Sequence, residues 1–347
     1  MTLASLLGIE YPIVQAPMAG VQGHALAAAV SIAGGLGSLP AAMLGPHALR
    51  SELAALRAST VRPFNVNFFC HPPPEPDAAR EAAWRAALAP YLAEAGVDPD
   101  AVPAVAARQP FSAAAAEVLA EFRPPVVSFH FGLPAPELLA RVRGWGARVL
   151  ASATTVDEAL WLEARGVDAV IAQGVEAGGH RGMFLGSELA AQQGLFALLP
   201  QLVAVLRVPV IAAGGIADAA AVRAALVLGA AGVQAGTAYL RCPEATTGPL
   251  HRAALASARA RATVLTTLHT GRPARGIVNR LMRELGPLNP VAPAFPLAAV
   301  ALAPLRAAAE AQGRDDFTPL WCGQRAADCR ELPAAEVTRA LAAGLTG

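Results

Sequence analysis

Short apolar runs bounded by glycine or proline alternate along this chain with longer Ala/Leu/Arg stretches whose apolar positions recur at helical spacing. The runs read as strands over 12–18, 36–42, 64–69, 125–132, 148–154, 168–174, 209–215 and 232–240. Between them the 3.6-residue period predicts helices over 24–33, 46–58, 135–144, 156–165, 196–206 and 218–229. Asp157 and Asp218 fall near two of the starts, where an acidic side chain suits the unpaired N–H groups. Strand and helix in alternation argue for βαβ units and a parallel sheet. Eight strand candidates fit an α/β fold of the (β/α)8 TIM-barrel kind better than an open sheet, and no GxGxxG opens the first helix.

Two stretches break the alternation. The segment 71–123 is too long for one connection and predicts a helical excursion. After residue 240 the pattern reads as helices near 249–260, 274–285 and 297–312, with no set of strands. The expected division is a barrel over 1–240 and a helical C-terminal cap over 241–347, packed on the barrel.

Composition narrows the function classes. With 54% apolar and 15% charged residues, the chain can bury a large core and is not disordered. Its 27 basic residues are all arginine and nearly balance 26 acids, so nothing favours nucleic acid. The start carries no basic segment before a long apolar core, and no apolar stretch is long enough to span a bilayer. A cytoplasmic protein without a membrane partner is the expectation. Cys70, Cys242, Cys322 and Cys329 show no CxxC spacing, which argues against a metal and for reduced thiols.

In a barrel of this kind, ligand groups gather at the C-terminal ends of the strands. Those ends hold Ala16, Pro17 and Met18, then Asn67, His130 and Gln173, and finally Gly214, Gly215, Gln234, Gly236 and Thr237. "AAGGIAD" and "QAGTAYL" offer backbone N–H groups near helix starts, which suits a phosphate; tight βα turns are the plainer alternative. The amides of Asn67, Gln173 and Gln234 could hydrogen-bond a flat heterocycle or serve ordinary polar packing. "AQGVEAGGHRGMF" sets His180 among Gly178, Gly179 and Gly182, so backbone can approach a ligand closely while one titratable ring supplies chemistry.

"YPIVQAPMAG", "FNVNFFCHPPP", "VSFHFGLP", "AQGVEAGGHRGMF", "IAAGGIAD", "QAGTAYL", "TGRPARGIVNRL" and "LWCGQ" occur in one order over nearly the whole chain. In these blocks the sequence resembles the class I nitronate monooxygenases. The resemblance implies an FMN-binding TIM barrel that oxidises alkyl nitronates or nitroalkanes with dioxygen, giving a carbonyl compound and nitrite or nitrate. It implies FMN contacts at Ala16, Pro17, Met18, Asn67, Gln173, Gly178, Gly179, Gly214, Gly215, Gln234, Gly236 and Thr237. His180 would be the catalytic residue, as base toward a neutral nitroalkane or as hydrogen-bond donor to a nitronate. Arg181 would position the loop. His130 is either a substrate-side contact or a histidine that fixes a loop; His71 reads as structural, and His24, His47, His251 and His269 as surface or packing residues. The partners implied are a small-molecule substrate and dioxygen, with the chain a monomer or homodimer.

The tail departs from the family pattern, which has tyrosine at Phe295, tyrosine at Ala299 and lysine at Ala303. The pocket is therefore expected to be roomier and more apolar, favouring a larger or less charged substrate than propionate 3-nitronate. Arg272, Arg275 and Arg280 are the candidates to replace the lost cation. The alternative reading is an FMN-dependent NAD(P)H reductase of quinones or enoyl thioesters. An accessory flavin-binding protein is a third, opposed by the retained His180 and glycine turns.

Overall fold

Eight parallel strands form where the apolar runs predict them, most of them trimmed at one or both ends. In the computed structural model, which describes residues 2–75, 77–98 and 108–345, they begin with β1 (Ile13–Gln15), β2 (Gly37–Pro40) and β3 (Phe64–Phe69). β4 (Val126–His130), β5 (Arg148–Ala153) and β6 (Ala169–Gln173) follow, then a two-residue β7 (Gly179–His180), then β8 (Val210–Ala213) and β9 (Gly232–Ala235). The barrel order is β1-β9-β8-β6-β5-β4-β3-β2. A parallel bridge between Val14 and Leu36 joins the two ends, with Gln15 N donating to Leu36 O (2.9 Å) and Leu36 N to Ile13 O (2.8 Å). Closure leaves the barrel no free edge.

The strand period of two sorts the side chains. Outward positions such as Val66, Phe68, Val127, Phe129, Val170, Ala172 and Val233 pack in the main core. That core is shared with the barrel helices α2 (His24–Ile32), α3 (Pro46–Ser59), α5 (Ala113–Phe122), α6 (Pro136–Gly144), α7 (Val156–Ala164), α8 (Leu195–Val205) and α9 (Ala219–Val227). Inward positions at the N-terminal end, among them Val14, Leu36, Val126, Leu150, Ile171 and Ile211, meet Leu3, Leu6 and Leu7 of α1 (Leu3–Leu7), which plugs that end. Higher up the lining turns polar: Asn65 donates to Ser38 Oγ (3.0 Å) and to Ser128 Oγ (2.8 Å). Hydrophobic filling below and polar filling above leave one end of the barrel able to take a ligand.

Among its described residues the excursion holds two helices with different allegiances. α5 packs between α3 and α6, as a barrel helix should. α4 (Ala78–Ala95) packs instead along α12 (Ala298–Ala311), with Trp84, Leu88, Tyr91 and Leu92 against Ala298, Ala301, Leu302 and Leu305, and Trp84 Nε1 donating to Ala298 O (3.1 Å).

The tail requires correction, because it is not purely helical. α10 (Pro249–Ala256) is followed by β10 (Thr263–Thr266) and β11 (Ala274–Ile277), an antiparallel pair. β11 also pairs with β7, with Ala274 opposite His180 and Arg275 opposite Gly179. The helix expected over 274–285 is therefore a strand followed by the short α11 (Arg280–Leu285). Asn279 separates them, accepting from Met282 N (3.1 Å) as an N-cap. A period carried by so few residues does not choose between helix and strand; the available strand partners do. After α12 the chain returns to the barrel, and α13 (Ala334–Ala342) packs on α2 and α9 beside β1.

Candidate active site

The inward residues at the C-terminal strand ends face one cavity: Asn67 and Phe69 on β3, His130 on β4, Ser152 on β5, Gln173 on β6, Ala213 on β8 and Gln234 on β9. Ala16, Pro17, Met18, Gly178, Gly179, His180, Gly214, Gly215, Gly236 and Thr237 complete the wall from the loops. The structure thus brings every cofactor candidate and His180 together. Phe295 packs against the His180 ring and does not line the cavity. Ala299 is half-buried and Ala303 exposed on α12, and neither lines the cavity.

The three amides differ in what remains free. Asn67 commits its nitrogen to Ser128 Oγ (2.9 Å), and Gln173 commits both ends to the His180 loop. Gln234 Oε1 is buried with no hydrogen-bond partner among the described residues. A buried acceptor left unpaired costs about 1–3 kcal/mol, so the cavity fits a ligand that brings an N–H or O–H donor there. At the other end, Gly214 (φ 116°) and Gly215 (φ 71°) turn β8 toward α9 through the left-handed region. Their N–H groups can then approach an anion. Gly178 is required by contact: a Cβ there would lie 2.4 Å from the Cys322 carbonyl carbon and 2.5 Å from Gly323 N.

His180 is immobilised from three sides. Its carbonyl accepts from Gln173 Nε2 (2.9 Å) and from His130 Nε2 (3.2 Å), and its strand pairs with β11. Because His130 Nε2 donates, His130 Nδ1 accepts from the Ser152 hydroxyl (2.5 Å). Gly182 N donates to Gln173 Oε1 (2.8 Å). Arg181, fully buried, donates to Gly174 O (2.6 Å), Gln173 O (2.8 Å) and Gln192 Oε1 (2.8 Å), and so holds the loop from below. The imidazole Nε2 of His180 lies 3.0 Å from Thr270 Oγ1. Its ring packs among Phe295 (5.3 Å between centroids), Trp321 (5.8 Å), Phe69 (6.0 Å) and Phe131 (6.0 Å).

These surroundings keep the ring neutral. Burial holds His180 well below the ordinary 6.5, and Arg108, His130, Arg272 and His71 push the same way. His130 is held down to about 3 by burial and by Arg272, and His71 to about 4 by burial, Arg272 and Arg108.

The three arginines expected to replace the missing cation are engaged elsewhere. Arg280 is paired with Glu94 (2.6 Å) and Glu284 (2.8 Å). Arg275 donates to Val175 O (2.8 Å) and Thr263 O (3.1 Å). Arg272 donates to Met183 O and stacks 3.9 Å above the Phe131 ring. Arg108, which no sequence motif marks, lines the cavity and has no hydrogen bond or ion pair among the described residues. His251, Trp321 and Cys322 also line it, so His251 is a buried wall residue. "LWCGQ" was the available signal for Trp321 and Cys322. None existed for Arg108 or His251, whose places depend on how distant segments pack.

Fold and cavity together define a TIM barrel with a candidate site at the C-terminal strand ends. A family model described as nitronate monooxygenase matches residues 1–344. The chain is 46% identical to a nitronate monooxygenase of Pseudomonas aeruginosa, over 99% of this chain and 98% of that protein. It is 45% identical to one of Paraburkholderia phytofirmans, over 98% and 93%. Among solved structures, nitroalkane oxidase from Streptomyces ansochromogenes matches with a TM-score of 0.89 at 42% identity, covering 99% and 97% of the two chains. FabK from Thermotoga maritima is more distant, with a TM-score of 0.73 at 28% identity over 99% and 96%. The chain belongs to the nitronate monooxygenase family and is an oxidoreductase.

Proposed function

We propose that this protein uses bound FMN and dioxygen to oxidise alkyl nitronates, or the nitroalkanes that give rise to them, to a carbonyl compound and nitrite or nitrate. The observation that carries the reading is a neutral, immobilised His180 at the edge of a glycine-walled cavity that also holds the unpaired Gln234 acceptor. Gln234 and Asn67 would hold the ring system of FMN. Gly214, Gly215 and Gly236 would hold its phosphate, with Ala16, Pro17, Met18, Gln173, Gly178, Gly179 and Thr237 shaping the walls. Bound FMN supplies the electron acceptor and the site of dioxygen reduction. The barrel carries the cofactor, and the segments after β9 form the substrate side.

The expected preference for a larger substrate than propionate 3-nitronate rested on Phe295 and Ala299, and neither residue lines the cavity. The other half of that expectation, a less charged substrate, rested on Ala303. That residue lies outside the cavity wall, while Arg108 puts a cation on it. We therefore drop the size preference and assign a preference for a charged substrate to Arg108.

The purified protein should show a flavin spectrum and consume dioxygen with alkyl nitronates. NADPH added anaerobically should not bleach the flavin; rapid bleaching would favour the reductase alternative. His180→Asn should keep its flavin while losing about 10²-fold or more of kcat/KM on nitroethane, the usual worth of a positioned general base. Unchanged turnover would remove His180 from the chemistry.

A further inference from the structure

Thr270 lies in the connection between β10 and β11 and is buried, 2% exposed. Its Oγ1 is 3.0 Å from His180 Nε2 and 3.4 Å from the carbonyl oxygen of Arg272. Two backbone ladders fix this arrangement: β7 pairs with β11 at His180 opposite Ala274, and β11 pairs with β10 at Ala274 opposite Thr266. Arg181 N adds a bond to Pro273 O (2.8 Å).

We propose that Thr270 is a positioning residue that fixes the tautomer of His180, leaving Nδ1 as the proton acceptor in the cavity and making neutral nitroalkanes substrates. The argument is a proton count. A threonine hydroxyl has one proton and two lone pairs, and a carbonyl oxygen can only accept. With the Thr270 proton directed at Arg272 O, the hydroxyl oxygen must accept from His180, so Nε2 carries the imidazole proton. A neutral imidazole has one such proton, and burial among four aromatic rings and beside two arginines keeps this one neutral. Nδ1 is then a lone pair. It has no hydrogen-bond partner among the described residues, and His180 lines the cavity.

The opposite orientation, Thr270 donating to Nε2, would put the proton on Nδ1 and take the Thr270 donor away from Arg272 O. That tautomer can only donate to a ligand, and would serve pre-formed nitronates alone. In the proposed state, the carbon-bound proton of a nitroalkane passes to Nδ1. The C–H electron pair becomes the C=N bond of the nitronate, and the negative charge goes to the nitro oxygens.

The inference rests on the nitronate and nitroalkane reading above, and its test separates the two. The direct measurement is the ¹⁵N spectrum of the histidine side chains in the FMN-loaded protein, which reports which ring nitrogen carries the proton. The His180 signals are identified by their absence in His180→Asn. Expected is a protonated Nε2 and an unprotonated Nδ1; a protonated Nδ1 overturns the proposal. In parallel, Thr270→Val should lower kcat/KM on nitroethane at least about tenfold more than on ethyl nitronate, within the range of general-base effects. Thr270→Ser should restore the ratio. An equal effect on both substrates, or none on either, overturns the proposal. If the wild-type protein oxidises neither compound, the functional reading fails, while the ¹⁵N spectrum still decides the tautomer.

Discussion

His180 and Arg108 reach the same cavity by different routes. His180 is legible in the sequence, because a lone titratable ring among glycines after an apolar run implies a ligand close to backbone. Arg108 gives no such signal, since one arginine in an Ala/Pro-rich excursion resembles any surface arginine. Only packing shows that Arg272, Arg275 and Arg280 are engaged while Arg108, on the wall, has no partner among the described residues. A charge-assisted hydrogen bond contributes about 1.5–3 kcal/mol, or roughly 10- to 150-fold. Arg108→Ala should therefore raise KM for propionate 3-nitronate by about that factor relative to an uncharged-tail nitronate such as butyl nitronate, with flavin content unchanged. Equal effects on the two substrates would show that Arg108 does not contact the carboxylate.

At the scale of elements, the eight strands were readable because both sides of each strand are buried, leaving short apolar runs cut by glycine and proline. The β7–β11–β10 sheet was not. β7 is two residues long, and β11 reads "ARGI", so neither carries enough period to declare itself. This small sheet nonetheless fixes the site, joining the His180 loop to a connection about ninety residues later in the chain. At Gly178 the tail presses directly on that loop. Gly178→Ala would set a Cβ 2.4 Å from the Cys322 backbone, with no flexible side chain to give way. The expected outcome is a destabilisation of about 1–3 kcal/mol together with weaker flavin retention, read by thermal melting and absorbance. A variant that melts and holds flavin like the wild type would show that the loop and tail separate freely.

Over the whole molecule, the burial of several histidines makes stability depend on pH. Burial holds His71 and His251 at about 4 and His130 and His269 at about 3, against 6.5 when unfolded, and His180 is lowered as well. Above 6.5 both states are neutral and nothing is lost. As pH falls from 6.5 toward 3, the unfolded chain binds protons that the folded one refuses, so stability declines. Each such histidine withdraws up to about 1.4 kcal/mol per pH unit within that window. The melting temperature should be flat from pH 8 to 7 and fall steeply between pH 6 and 5. An unchanged melting temperature at pH 5 would mean that these rings already titrate in the folded protein.

The chain by itself determined the barrel and most of one wall of its cavity, because strand alternation, glycine turns and strand-end polar residues are local features that the 2.0 and 3.6 periods expose. The tertiary structure alone decided which amide is left unpaired among the described residues, which arginine lines the cavity, which face of α12 reaches solvent and which atom of His180 is held. Each depends on groups far apart in sequence that packing brings within hydrogen-bond range, and no local pattern encodes which distant partner arrives.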